Sequence, residues 1–199
     1  MGLVDYMKAQ PLYHLLANQA SILEGNLLEY NDPATAESQV QFLRYALAKA
    51  NPRRVLETGT NKGYFSYVLS HLVSQVEIFT FDMNPQSQDC VHLINQHQSN
   101  VRVHFTFGDT RVTLPSFHQP GIGFAWIDGG HDEDTAYNDL FHAVRLGIPY
   151  IAMDDVKQFP HLAHPIGMIL TNFPQYRQVF NPFYETDARG AILLSTVWN

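Results

Sequence analysis

The sequence predicts an α/β fold: a doubly wound, mostly parallel seven-stranded sheet that ends in a C-terminal antiparallel hairpin, with a reversed strand at the edge. Three observations predict it. Between residues 54 and 153, short apolar runs alternate with amphipathic stretches, the signature of a parallel sheet with helices on both faces. Runs such as Gly123 to Ile127 are apolar at nearly every position, as strands covered on both sides are. The last forty residues contain two strand-like runs joined by a loop alone, and such strands pair antiparallel.

In chain order, the first thirty residues read as one or two helices. Tyr6, Met7, Leu12, Tyr13, Leu15, Leu16, Ile22, Leu23 and Leu27 recur at three-to-four spacing, with Pro11 and Gly25 as interruptions. A further helix starts at Pro33, with Asp32 as N-cap and proline at its first position, and stops at Asn51-Pro52. Strands are expected at 54–57, 76–81, 101–107, 122–127 and 150–153, with helices at about 63–73, 85–98 and 133–146 between them. A helix at about 157–172 leads to the terminal strands, 175–180 and 191–197.

The chain has 199 residues, 45% hydrophobic and only 16% charged, with a net charge of −7. That suits one domain with a sizeable core and argues against nucleic-acid or anionic-membrane partners, which need a basic face. Residues 1–199 read as a single domain, in which the helices of 1–50 form a lid or a homodimer contact and 51–199 form the catalytic sheet core. One cysteine, Cys90, precludes an internal disulfide. No apolar run approaches the ~18 to 20 residues that span a bilayer, and no signal peptide opens the sequence. The expected location is cytoplasmic.

Open α/β sheets bind ligands beyond the carboxyl ends of their strands. Five successive strand ends carry acids here: Glu57, Asp82, Asp109, Asp128, and Asp154 with Asp155. Each alone is an ordinary turn or helix-cap residue. Together they would repel one another unless cations intervene, so the cluster reads as a site for positively charged ligands. Glu57 precedes a glycine turn in which Gly59 permits the tight bend and Gly63 close helix packing. The G-x-x-x-G spacing is not the dinucleotide fingerprint. A carboxylate at Glu57 would repel a pyrophosphate and attract an ammonium or sulfonium group. Asp82 is placed to accept from ribose hydroxyls, and Asp109 from an adenine amino group.

The ordered set ETGTNKG, FTFDMNP, FGDT, WIDGGH and MDD resembles the class I S-adenosylmethionine-dependent methyltransferases, whose fold is Rossmann-like. Within that class it is similar to the metal-dependent small-molecule O-methyltransferases, over residues 34 to 197. The resemblance implies that Glu57, Gly59 and Gly63 line the methionine part of S-adenosylmethionine, that Asp82 holds the ribose, and that Asp109 meets the adenine. Thr60, Met83 and Asp128 complete the expected cofactor contacts. It further implies that Asp128, Asp154 and Asp155 bind Mg²⁺ or another divalent cation, and that His131 is the catalytic base. Two positions depart from the relatives: Glu133 stands where they carry tyrosine two residues after this histidine, and Gly147-Ile148-Pro149 replaces a Gly-Gly pair. The expected activity is Mg-assisted methyl transfer to a hydroxyl of a small-molecule acceptor. The alternatives are a metal-independent methyltransferase of the same fold and a non-catalytic adenosylmethionine-binding module.

Overall fold

A computed structural model describes residues 2–19 and 33–197. The seven strands are β1 (Arg54–Thr58), β2 (Val76–Asp82), β3 (Val101–Phe107), β4 (Phe124–Ile127), β5 (Tyr150–Met153), β6 (Arg177–Val179) and β7 (Ile192–Ser195). They form one sheet in the order β3-β2-β1-β4-β5-β7-β6. All pairings are parallel except those of β7 with β5 and with β6. The order reverses between β1 and β4, which puts the crevice expected to take a ligand at the carboxyl ends of those two strands.

Side-chain alternation along the strands divides the core into two layers. Val55, Phe124, Trp126, Ala152 and Leu193 face a cluster shared with α1 (Leu3–Lys8), α2 (Pro11–Asn18), α3 (Pro33–Ala50), α4 (Tyr64–Leu72) and α5 (Ser87–His97). Leu56, Ala125, Ile127, Ile151, Met153 and Leu194 face the other cluster, with α7 (Glu133–Arg145) and α8 (Ala163–Asn172). Trp126 is fully buried and stacks on Phe65 at 5.3 Å between ring centroids. Both faces of the central strands are therefore covered, which is why their sequences read as continuous apolar runs.

The structure differs from the sequence expectation in three places. The reversed strand is β7, which lies inside the sheet between β5 and β6 and does not form its edge. Its four residues are all buried, whereas β6 exposes Arg177 and Gln178 and takes the edge. The helix expected from residue 157 begins at Ala163, because residues 156–158 pair with the loop before β7: Val156 N–H donates to Gly190 O, and Lys157 N–H to Arg189 O. A one-turn helix, α6 (Thr110–Thr113), was hidden by its brevity. In α1 and α2 most apolar positions are turned inward: Val4, Met7, Leu12 and Leu16 are buried, and Tyr67 OH donates to Met7 O at 2.7 Å. Tyr6 and Leu15 remain exposed. The expected continuation through Ile22, Leu23 and Leu27, the break at Gly25 and the Asp32 cap lie outside the described residues.

The turn after β1 depends on glycine at one position above all. Gly59 has φ +84°, and a Cβ there would stand 1.8 Å from the Asp128 carbonyl oxygen. The turns after β1 and β4 thus touch through backbone. Gly59→Ala is expected to lower stability by about 3 kcal/mol or more, from the left-handed conformation and the clash combined. Urea unfolding measures it, and an unchanged midpoint would show that the two turns are not packed this way.

Candidate active site

Every strand-end acid sits at the carboxyl edge of the sheet, but the six do not share one environment. Glu57 is completely buried, and its Oε2 accepts from Ser66 Oγ of α4 at 3.1 Å. Its Oε1 has no hydrogen-bond partner. Burial, with a contribution from Asp82, pushes its carboxyl up to about 8. Around it, Thr60 Oγ1 lies 2.6 Å from Thr80 Oγ1. Gly63 opens α4 with φ +74°, and a Cβ there would meet Ile94 at 2.6 Å.

Asp82 is tied to the glycine turn. Its Oδ2 accepts from Asn61 N–H at 2.6 Å, and its Oδ1 from Asn84 N–H at 2.8 Å. It does not cap α5, which begins five residues later at Ser87 behind Gln86. Beside it, Met83 and Phe107 are exposed, at 66% and 59%. Asp109 does cap: its side chain accepts from Arg111 N–H at 2.9 Å at the start of α6, and the Arg111 guanidinium pairs with both oxygens. Hydrogen bonds from Arg111 hold its carboxyl below the usual range.

At the β4 and β5 ends the geometry departs from the ligand set expected of Asp128, Asp154 and Asp155. Asp155 leaves strand conformation with φ +64°, and this reversal sends the two adjacent acids to different partners. Asp154 is buried, and both its oxygens accept from Gln39 Nε2 of α3, at 3.0 and 2.8 Å. Asp155 is fully buried. Its Oδ2 stands 3.0 Å from His131 Nε2, and both its oxygens accept from the Arg189 guanidinium. Among the described residues, the group whose ligand atoms converge within 4.8 Å is Asp128, His131 and Asp155. Asp154 is outside that group, and His131, expected as base alone, is inside it.

Charge in this corner is uneven. Burial, then Asp155, push the Asp128 carboxyl up to about 8, and Asp154 is also raised by burial and by its two acidic neighbours. For Asp155 burial pushes upward, but the close approach of His131 and the hydrogen bonds from Arg189 outweigh it and hold the group below its ordinary value. The His131 ring stacks on Phe159, with centroids 4.3 Å apart and planes 15° from parallel. Its carbonyl oxygen lies 2.6 Å from His161 Nε2. Asp132 and not His131 caps α7, through Thr135 N–H at 2.9 Å.

Two residues that sequence reasoning missed complete the site, Gln39 and Arg189. Gln39 is a polar residue on the buried stripe of α3, among Ala36, Val40 and Leu43, and that position was its signal. Arg189 lies just before β7. Because β7 runs against β1–β5, its leading loop emerges at their carboxyl ends, so a cation there is delivered to the acids. Replacing Gln39 by Leu should leave Asp154 buried without its amide donor. The expected cost is about 1–3 kcal/mol, read from urea unfolding of the variant beside wild type. An unchanged midpoint would show that the contact carries nothing.

A family model described as "Methyltransferase domain" matches residues 56–156, just over half of the chain. Among solved structures, a cofactor-bound protein from MTB superposes with a TM-score of 0.69 at 18% identity, covering 97% of this chain and 94% of that one. The O-methyltransferase TomG from Streptomyces achromogenes, involved in tomaymycin synthesis and solved in complex with SAM, gives a TM-score of 0.66 at 16% identity, covering 96% and 93%. The SAH-bound methyltransferase PaMTH1 from Podospora anserina gives 0.63 at 14%, covering 96% and 92%. At such identities these likenesses carry the fold.

Proposed function

Given that the chain belongs to the methyltransferase domain family, we propose that it transfers the methyl group of S-adenosylmethionine to a hydroxyl oxygen of a small molecule. The observation that carries this reading is Glu57. Its carboxyl is buried beside the glycine turn with one oxygen lacking a partner, and a cationic ligand would supply the counter-charge that lets it ionise there. Glu57, Gly59, Thr60 and Gly63 would hold the methionine part, Asp82 the ribose, and Asp109 and the exposed Met83 the adenine, with Asp128 at the far side of the Gly59 turn. When bound, the cofactor supplies an activated methyl group on a positively charged sulphur.

The remaining work falls to the chain's own residues. His131 receives the acceptor hydroxyl's proton on a ring nitrogen, which makes the oxygen a better nucleophile. Asp155, 3.0 Å from His131 Nε2, orients the ring and stabilises the imidazolium that forms, as a carboxylate does beside a general-base histidine. Phe159 keeps one face of that ring dry. Positioning of the acceptor oxygen in line with the methyl group supplies the rest. Residues 1–199 are proposed as one domain, with part of 1–50 acting as a lid or homodimer contact.

A second reading adds a divalent cation, and one observation favours it: the donor atoms of Asp128, His131 and Asp155 lie within 4.8 Å of one another. The fit is incomplete, because both Asp155 oxygens already carry Arg189 and both Asp154 oxygens carry Gln39.

Calorimetry with S-adenosylhomocysteine and with NAD tests the cofactor. The expected dissociation constant is roughly 1–100 μM for the former, with no heat from NAD. Labelled S-adenosylmethionine then tests transfer to a panel of hydroxylated aromatic and sugar acceptors. A folded protein that binds neither S-adenosylmethionine nor its demethylated product would overturn the proposal.

A further inference from the structure

We propose that Arg189 is the resident cation of this site: its guanidinium takes the place on Asp155 that a divalent ion would take, and through Asp155 it positions His131. The inference goes beyond methyl transfer itself and does not depend on which acceptor is used.

Three observations carry it. First, Asp155 is fully buried, and a buried carboxylate persists only when paired. Arg189 pairs with it through Nε and a terminal nitrogen at once, the two-pronged geometry that makes guanidinium the strongest organic partner of a carboxylate. Second, Arg189 is built into its place. Its carbonyl accepts from Lys157 N–H at 2.8 Å, its own N–H donates to Asp187 Oδ1 at 3.0 Å, and neighbouring Gly190 O accepts from Val156 N–H at 3.1 Å. The loop that follows β5 and the loop that precedes β7 are thereby clamped together across Asp155. Third, Asp155 holds φ +64°, a conformation costly for a residue with a side chain. That backbone turns its carboxylate away from the Asp154 side and toward Arg189 and His131.

Magnesium takes its oxygen ligands with little tolerance for distortion, and a guanidinium locked on one of them adds like-charge repulsion. The chain thus meets with a fixed side chain the need for positive charge that an ion would otherwise meet. A fixed cation cannot be removed by chelation, and it leaves His131 one settled orientation.

The test is metal binding, read without turnover. Full-length protein is titrated with Mn²⁺ alone and followed by water-proton relaxation, for wild type, Arg189→Gln, Arg189→Lys, and the double variant Arg189→Gln with Asp155→Asn. The expected result is no saturable binding in wild type or Arg189→Lys up to about 1 mM, one site in Arg189→Gln at least about tenfold tighter, and loss of that site in the double variant. Three results would each overturn the proposal: equally tight binding in wild type and Arg189→Gln, no binding in any of them, or a gained site that survives Asp155→Asn. If Arg189→Gln does not fold, wild type decides. The Arg189 Nε–H resonance should exchange slowly and stay sharp in millimolar Mn²⁺, and selective broadening of it would overturn the assignment. Failure here leaves cofactor binding and methyl transfer, measured separately by calorimetry and label transfer, untouched.

Discussion

Glu57→Gln is expected to weaken S-adenosylhomocysteine binding roughly 30-fold or more while stabilising the unliganded protein at pH 8. The two effects have one origin. Glu57 is fully buried, one of its oxygens has no partner, and burial pushes its carboxyl from 4.5 to about 8. Between those values the folded chain holds a proton that the unfolded chain has released. Stability therefore falls as pH rises from about 4.5 toward 8 and levels off above it. Glutamine has the shape of the protonated acid and no proton to lose, so the variant lacks this slope, a gain of about 4 kcal/mol at pH 8. Asp128, also raised to about 8, contributes a slope of the same sign and remains, so the variant's profile is flatter but not flat. The ligand's ammonium group loses its buried counter-charge, and truncating one partner of a buried charge pair costs about 2 kcal/mol or more. Urea unfolding at pH 5, 6.5 and 8, with calorimetry at pH 7.5, reads both effects. Undiminished affinity would mean that Glu57 is not the partner of the cationic end.

Much of this site was legible because it lies at strand ends. Apolar runs place β1 to β5, and the residue after each run falls at the carboxyl edge whatever the helices do, so Glu57, Asp82, Asp109, Asp128 and the Asp154–Asp155 pair could be located by counting. Where those side chains point could not be. Whether Asp154 and Asp155 meet at one point depends on a single backbone angle at Asp155, which no composition or spacing encodes. Gln39 and Arg189 reach the acids from 115 and 34 residues away, and such long-range pairing leaves no local pattern. Arg189 was inferable one step further on: once the terminal hairpin is antiparallel, its second strand must begin where the parallel strands end. The misplaced reversed strand has a similar cause. The sequence shows that β6 and β7 pair, but which of them sits against β5 follows from burial, and the wholly buried Ile192 to Ser195 segment, apolar but for Ser195, goes inside.

His131→Ala is expected to lower methyl transfer by roughly 10²- to 10⁴-fold, as loss of a general base does, with cofactor binding changed less than about threefold. Binding should survive because the proposed cofactor contacts lie mainly at the ends of β1, β2 and β3, whereas His131 lies beyond β4 against Asp155 and Phe159. A bare loss of activity would not separate chemistry from packing, since the ring also stacks on Phe159. His131→Phe makes that separation: it keeps an aromatic ring for the stack but has no nitrogen to take a proton, so it should be as inactive as the alanine variant. The defect should shrink as pH rises, because an acceptor hydroxyl that ionises in solution no longer needs a base. Asp155→Asn should reduce turnover less than either, since the ring nitrogen remains while the carboxylate that orients it and favours its protonated form is lost. Turnover in His131→Phe near the wild-type level would assign the histidine to packing and leave the proton to another group.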